Sequence, residues 1–415
     1  MGEPLKHLDC FTGIGGFTVA AERCGIETIC AMEIDPYNRK LIDRNLDLDN
    51  CGDIALAVIP RAEHPHTAMC EEADVVPCEE EGETSLCIED FLEEILPYPD
   101  IGSGGFPCQD IASSNIQGCS AGIDGERSGL VRHQLRIYEE LETPFAVFEN
   151  SRYLNSRGLD YILAELDRMG YIVEYETISA AAFGFPHFRH RIYIVAYRPF
   201  TEIAKRGIRI FDEVREAAKQ IEGFVVPLFD EDPEGIKAAA TVENPKSIPF
   251  RSKRINGLGN AVIPAIPEAI FKVIAKYEKR SYCDQYELNR DVRFDGGVDM
   301  PQLLRRSGEG WETIQRDLFD DVPEAVTKLP TRGFMANGVL YADGKNDPVL
   351  NVSTSAYKGL YYTLGRKDGN NNGNPSRANR PGGLGGLNGQ MGGALNPEWC
   401  ETFMGYPAGH TELAG

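Results

Sequence analysis

Apolar and polar positions along the first half of the chain alternate between short apolar runs and amphipathic stretches. "KHLDCFTGIGGFTVAAERCG" (6–25) reads as a strand, a glycine turn and a helix, and "ETICAMEIDPYNRKLIDRNL" (27–46) repeats strand, acidic turn and helix. "YPDIGSGGFPCQD" (98–110) and "PFAVFENSRYL" (144–154) predict two more buried strands, each ending in polar residues. Helical spacing marks "SGLVRHQLRIYEELE" (128–142) and "RGLDYILAELDRMG" (157–170), and "HRIYIVAYRP" (190–199) closes this part as an apolar strand. Alternating strands and helices predict an α/β fold with a doubly wound, mostly parallel sheet. Ligands of such a sheet sit at the carboxyl ends of its strands.

The rhythm divides the chain. Residues 1–200 form the expected sheet domain, interrupted by an acidic insertion at about 47–89. Residues 201–257 are mixed and read as a linker region, and 258–280 as a turn followed by an amphipathic helix. Residues 281–415 differ in composition. "GRKDGNNNGNPSRANRPGGLGGLNGQMGGALNP" (365–397) is too rich in Gly and Asn to form a core, so a second, smaller, loop-rich unit is expected here.

Composition narrows the class. At 415 residues, 42% hydrophobic and 26% charged, the chain resembles ordinary globular proteins. No apolar run approaches the length of a membrane span, and the start carries neither an h-region nor a myristoylation pattern, so no membrane association is expected. Eleven cysteines without a CxxC pair favour free thiols in a reducing cytoplasm. His64, His66, Cys70, Cys78 and Cys87 match no tight zinc spacing, and no metal is expected. The net charge of −22 opposes a nucleic-acid partner, yet it is unevenly placed. Residues 62–126 hold no Lys or Arg, whereas in 340–395 Lys345, Lys358, Arg366, Lys367, Arg377 and Arg380 outnumber Asp343, Asp347 and Asp368.

Two features carry chemistry. Gly13, Gly15 and Gly16 let the backbone approach a ligand between strand and helix, and Glu33, at the end of the next strand, suits ribose hydroxyls. The turn lacks full GxGxxG spacing and a P-loop GK[ST], which favours S-adenosylmethionine over NAD or ATP. In "GGFPCQDIASSN" (104–115) a lone cysteine between proline and glutamine is poorly placed for packing and well placed to meet an arriving group.

Together these segments resemble the DNA (cytosine-5)-methyltransferase family. "DCFTGIGGF" is similar to its first cofactor motif, "EIDP" to the second and "GGFPCQD" to the catalytic loop. "RSGL" resembles the next helix start, "FENSRYL" the ENV motif, "PHFRHRIYIVA" the QxRxR motif and "GLGNAVIP" the final motif. They follow the family's order within residues 7–275. The resemblance implies a Rossmann-like class I methyltransferase that transfers methyl from S-adenosylmethionine to carbon 5 of a flipped cytosine in double-stranded DNA. Cys108 would add to carbon 6, Glu149 would hold or protonate ring nitrogen 3, and Arg189 and Arg191 would contact the base oxygen. It also implies cofactor contacts from Phe11, Gly13, Ile14, Gly15, Gly16, Glu33, Ile34, Pro107, Leu130, Asn260 and Val262, and an adenine-facing Asp53 or Asp90, with Asp53 preferred. The block of motifs makes 1–200 the cofactor-binding catalytic domain, to which 258–280 returns. A monomer is expected, with a cognate restriction endonuclease as a possible partner.

Three departures stand out. Ser151 replaces the Val of ENV, and His187 replaces the Gln of QxRxR. The third is layout: "LPTRGF" (329–334) and "LNPEWCETFMGYPAGHTEL" (395–413) resemble segments that usually precede the final motif. Residues 281–415 therefore read as a displaced target-recognition domain, with Gln109, Arg366, Lys367, Arg377 and Arg380 as DNA contacts. Truncation after Arg280 is then expected to leave a folded, cofactor-binding core. The competing readings are an RNA cytosine methyltransferase and a catalytically dead DNA-binding protein of the same fold, the latter opposed by the intact Cys108, Glu149 and Arg189.

Overall fold

The computed structural model describes residues 3–46, 48, 52–55, 99–111, 122–125, 127–226, 232–279, 302–307, 310–313, 325–326, 329–343, 350, 352, 360–370 and 386–413. Most of the acidic insertion, with its His and Cys residues and Asp90, lies outside them, as do Arg377 and Arg380.

The first strand, β1 (Lys6–Cys10), is buried from His7 onward and lies between β2 (Glu27–Met32) and β3 (Ile101–Gly104), parallel to both. β3 pairs in parallel with β4 (Phe145–Ser151). The chain thus leaves β1 to one side for β2 and to the other for β3. This reversal opens a crevice at the carboxyl ends of β1 and β3. Helix α1 (Gly16–Arg23) follows the glycine turn, and α2 (Pro36–Leu46) follows β2. Helices α3 (Val131–Glu140) and α4 (Leu159–Arg168) carry the expected apolar faces.

Beyond β4 the sheet changes character. β6 (Arg191–Tyr197) lies antiparallel to both β4 and β5 (Ile172–Ile178). All of β4 and β5, and β6 beyond Arg191, are buried, as strands covered on both faces must be. Residues 201–257 contain α5 (Glu202–Lys205), α6 (Ile210–Lys219), α7 (Pro233–Ala240), the short β7 (Thr241–Val242) and most of α8 (Arg251–Asn260). Helix α9 (Ala265–Tyr277) packs on α1, with the Phe17 and Phe271 rings 6.2 Å apart.

The sheet then continues through residues expected to be loop-rich. β8 (Gln302–Ser307), β9 (Gly310–Thr313), β10 (Ala325–Val326), β11 (Arg332–Ala336) and β12 (Val339–Asp343) join its far side, with β11 antiparallel to β5. The order is β10-β9-β8-β12-β11-β5-β6-β4-β3-β1-β2. Among the described strands only the β1–β2, β1–β3 and β3–β4 pairings are parallel, so the α/β sheet is mixed rather than mostly parallel. Short connections explain the difference. Asn337 and Gly338, at φ 51° and 74°, make the two-residue turn between β11 and β12, which only antiparallel strands can use.

After a 3₁₀ turn (Arg366–Asn370) come α10 (Gly386–Met391), β13 (Ala394–Leu395), paired with β7, and α11 (Pro397–Phe403). Leu387, Met391, Leu395, Trp399, Cys400, Phe403, Met404 and Tyr406 are buried in the same apolar cluster as Ile14 and Phe17. Leu304, Trp311, Met335 and Leu340 enter the second cluster with Leu8 and Phe148. The described residues of 281–415 thus share both apolar clusters with the rest of the chain, where the sequence predicts a smaller loop-rich unit without a core of its own. Among the described residues no single helix is long and apolar enough to cross a membrane.

Candidate active site

The crevice is built from two glycine loops. In the first, Phe11, Gly13 and Gly15 adopt φ of 57°, 59° and 87°. The left-handed conformation is costly for Phe11, and the stretch is pinned from both sides. Thr12 N donates to Met32 O at 2.9 Å, and Gly13 N donates to Glu33 Oε2 at 2.7 Å. The other Glu33 oxygen accepts from Asp35 N at 2.7 Å. Burial raises the Glu33 pKa, opposed by these amide bonds. Ile34 beside it is 66% exposed. The Phe11 ring packs on the cluster that holds Ile54 and Phe106, which brings the turn containing Asp53 to this side; Asp53 Oδ1 accepts from Ala55 N at 2.9 Å.

The second loop follows β3. Asn150 Nδ2 donates to Phe106 O at 3.0 Å and holds its entry. Its far side is tied to "RSGL": Ser128 Oγ donates to Pro107 O at 2.9 Å, and Asp110 Oδ2 accepts from Arg127 N and Ser128 N at 3.1 and 2.9 Å. Between these anchors stands Cys108, half-buried with a free thiol. Pro107 and Leu130 are half-buried, and exposed Gln109 hydrogen-bonds Arg127.

Glu149, on β4, is 7% exposed and pairs with Arg191 Nε on β6 at 3.0 Å. Their registers place Asn150 opposite Ile192 and Ser151 opposite Arg191. Burial raises the Glu149 pKa, while Arg191 and Arg189 pull it down. The Cys108 thiol feels the same groups: burial raises its pKa, Arg191 and Arg189 lower it and Glu149 raises it. Thiol, carboxyl and two guanidinium groups therefore share one electrostatic neighbourhood.

The final motif wedges these loops together. A methyl group added at Gly16 would lie 3.0 Å from Val262 O and one added at Gly105 3.4 Å from Val262 Cγ2; the latter would also sit 3.1 Å from Glu149 Oε2. Asn260, the last residue of α8, is exposed, whereas the Ile14 side chain turns into the core beneath Gly257.

Arg189 departs from expectation. Its guanidinium is buried and donates to Leu364 O, Gly259 O and Ala261 O at 3.1, 3.1 and 2.6 Å. Burial and Arg191 hold its pKa down to about 9, so it stays charged at neutral pH. With three of its five N–H donors turned to carbonyls, it braces the final motif. His187 is buried, stacks on Phe403 with ring centroids 4.5 Å apart, and is kept neutral by burial, its pKa falling to about 3.

Sequence reasoning missed a brace from the far end of the chain. Tyr406 Oη donates to Val262 O at 2.6 Å, His410 Nε2 to Ile14 O at 2.6 Å and Tyr37 Oη to Thr411 O at 2.5 Å. Fully buried Glu401 anchors it, pairing with Arg254 at 3.0 Å and accepting from Gly409 N and Thr411 N at 2.6 and 2.9 Å. The apolar spacing of Trp399, Cys400 and Phe403 was a signal for a buried helix there.

A doubly wound half-sheet thus carries two glycine loops at one end, one pinned to Glu33 and the other presenting a half-buried thiol in the neighbourhood of a carboxyl and two guanidinium groups. The sequence model of the family described as "C-5 cytosine-specific DNA methylase" matches residues 88–246. The chain is 28% identical over 202 residues to the Type II methyltransferase M2.BsuMI of Bacillus subtilis (strain 168), covering 46% of this chain and 42% of that one. It is 25% identical over 198 residues to M.HhaI of Haemophilus parahaemolyticus, covering 47% and 49%. To M.MspI of Moraxella sp it is 29% identical over 198 residues, covering 46% and 38%. The chain thus spans less than half the length of these relatives, and its resemblance to the C-5 cytosine methyltransferase family holds.

Proposed function

We propose that the protein is an S-adenosylmethionine-dependent DNA (cytosine-5)-methyltransferase acting on double-stranded DNA. The observation that carries this reading is the pairing of buried Glu149 with half-buried Arg191 at 3.0 Å in the neighbourhood of the Cys108 thiol. The cofactor fits the residues present. A side chain at Gly13 would meet only Phe11 O, at 3.9 Å, so the turn keeps open space, while Glu33 and exposed Ile34 flank it as a ribose and an adenine would require. Phe11, Gly13, Glu33, Ile34, Asp53 and the backbone at Val262 would hold it; when bound, it supplies an electrophilic methyl group.

The residues of the chain supply the rest. The Cys108 thiolate, favoured by the two guanidinium charges, forms a bond to carbon 6 of a cytosine rotated out of the duplex. Ring electrons move toward nitrogen 3 and the base oxygen, where protonated Glu149 and Arg191 meet the charge. Carbon 5 is thereby made nucleophilic toward the sulfonium methyl, whose S–C bond would break to leave a neutral thioether. Water then takes the carbon-5 proton, the electron pair of that C–H bond reforms the 5,6 double bond, and the bond from carbon 6 to sulfur breaks to release the Cys108 thiolate. Pro107 and the anchors at Asn150, Ser128 and Asp110 hold the loop so that the sulfur faces the base. In the same reading, described residues of 281–415, Arg366 and Lys367 among them, serve target recognition in a reducing cytoplasm.

The test combines bisulfite sequencing of DNA from cells expressing the protein with trapping. Wild type should methylate cytosine and form a denaturant-resistant complex with a 5-fluorocytosine duplex plus cofactor, because fluorine cannot leave as a proton. Cys108→Ser should lose about a thousandfold or more of activity and form no complex, yet bind cofactor. Substantial activity in the Ser variant sinks the covalent scheme, and modified RNA with unmodified DNA moves the reading to an RNA substrate.

A further inference from the structure

Helix α8, about 15 Å long, packs against the shorter 3₁₀ turn at Arg366–Asn370. A side chain at Gly259 would collide with Arg366 N at 2.5 Å, one at Gly369 would strike Asn256 Oδ1 at 2.3 Å, and Ser252 Oγ donates to Gly369 O at 2.9 Å. The two segments are thus pressed together in opposite directions, and their outer surface is one strip.

Every exposed charge carried by residues 244–262 and 360–370 themselves is positive, and exposed Asp35 lies beyond Tyr37. Lys246, Lys253, Arg366 and Lys367 are exposed, and residues 244–262 contain no Asp or Glu. Within 360–370 the lone acid, Asp368, is buried, its carboxylate accepting from Gly365 N at 2.9 Å. Phe250, 43% exposed, stands at the outer end with its ring 5.5 Å from Tyr37, and Lys253 Nζ lies 5.6 Å above the same Tyr37 ring. Glu243 marks the outer limit. In a chain of net charge −22, a run of four cations free of exposed carboxylates is a selective feature.

The strip also leads to the site. Its inner end is Gly259–Ala261, whose carbonyls are held by Arg189, two residues from Arg191 on the adjoining chain. We propose that α8 and the adjacent 3₁₀ turn form a phosphate track for the DNA strand flanking the target cytosine, with Lys246, Lys253, Arg366 and Lys367 as its contacts. The length suits this: about 15 Å covers roughly four steps of a strand at 3.4 Å each. The proposal rests on the DNA-methyltransferase reading. It extends that reading to Lys246 and Lys253, which lie before the final motif and outside the stretch expected to recognise the target.

The experiment measures duplex DNA affinity of the full-length protein against salt, for wild type, for Lys246→Gln, Lys253→Gln, Arg366→Gln and Lys367→Gln, and for all four combined. Each single change should weaken binding to all sequences alike and flatten the slope of log affinity against log salt by about 0.9 per lost contact. Cofactor affinity and thermal midpoint should stay at wild-type values. Lys219→Gln on α6, paired with Glu216, serves as a control that leaves the slope unchanged. A fourfold variant with wild-type slope and affinity overturns the track while leaving the enzyme reading intact. Wild type that binds no duplex DNA overturns both.

Discussion

The glycine turn with the catalytic loop and the segment 395–413 meet at one site, but they are made differently. The first region is assembled from neighbours in sequence: β1 runs into its turn and α1, β3 into the Cys108 loop, and each loop is pinned by an adjacent motif. The second crosses the whole chain to reach Ile14, Val262 and Tyr37. One region carries the glycine turn and the Cys108 thiol, and the other carries bonds that hold the backbone around them. Arg189 and Arg191 repeat this contrast within a single motif, one facing carbonyls and the other facing Glu149.

Removing residues 395–413 breaks the comparison most severely. Leu395, Trp399, Cys400, Phe403, Met404 and Tyr406 are all buried, and losing large apolar side chains costs about 1.5–3 kcal/mol each. The sum is comparable to the entire stability of a domain. The shortened protein should show no cooperative unfolding transition and no cofactor binding by calorimetry. A chain ending at 394, or at 280 as the sequence suggested, that still binds cofactor would make the brace dispensable.

The arginine pair sharpens the contrast. Arg191→Gln should keep the fold and lower kcat by about a hundredfold to a thousandfold, as loss of an oxyanion contact does. Arg189→Gln strands the carbonyls of Gly259, Ala261 and Leu364 in the interior, so it should cost about 2–4 kcal/mol in denaturant unfolding, with an activity loss that follows the folded fraction. The reverse assignment of effects would return Arg189 to the base.

Asp9 yields the smallest effect and tests the local region alone. It is fully buried beneath the glycine turn, bonded to Thr18 Oγ1 at 2.8 Å, and burial raises its pKa to about 7. A carboxyl whose pKa is raised on folding stabilises fully below its unfolded value and loses that contribution as pH rises through the folded value. Wild-type stability should therefore decline from about pH 4 to beyond pH 7. Asp9→Asn, which keeps an acceptor for Thr18, should flatten this decline and gain about 2 kcal/mol at pH 8. Urea denaturation at pH 5 and pH 8 measures it, and an Asn variant less stable at pH 8 contradicts the account.

Legibility in the sequence followed the same division. The glycine turn, the Cys108 loop, Glu149 and Arg191 were readable because each depends on residue types within a few positions of one another. Arg189 looked identical to Arg191 in sequence, since nothing local reveals that carbonyls 70, 72 and 175 residues away occupy its donors. Strands β8 to β12 were missed because they are short and charged, with Arg305 and Arg306 inside β8, and only the Asn337–Gly338 pair signalled a hairpin. In 201–257, Ile210, Phe211, Val214 and Ala218 follow helical spacing and form the buried face of α6.

The bond from His410 to Ile14 spans 396 positions, and this has a consequence during synthesis. A ribosome adding roughly 5–20 residues per second needs on the order of 20–80 s to deliver His410 after Ile14 has emerged. Throughout that interval the nascent chain displays its cofactor turn with the Ile14 carbonyl unheld and the floor beneath α1 uncovered. The bond that fixes the Ile14 carbonyl therefore forms late, once α11 and the residues up to His410 have left the exit tunnel.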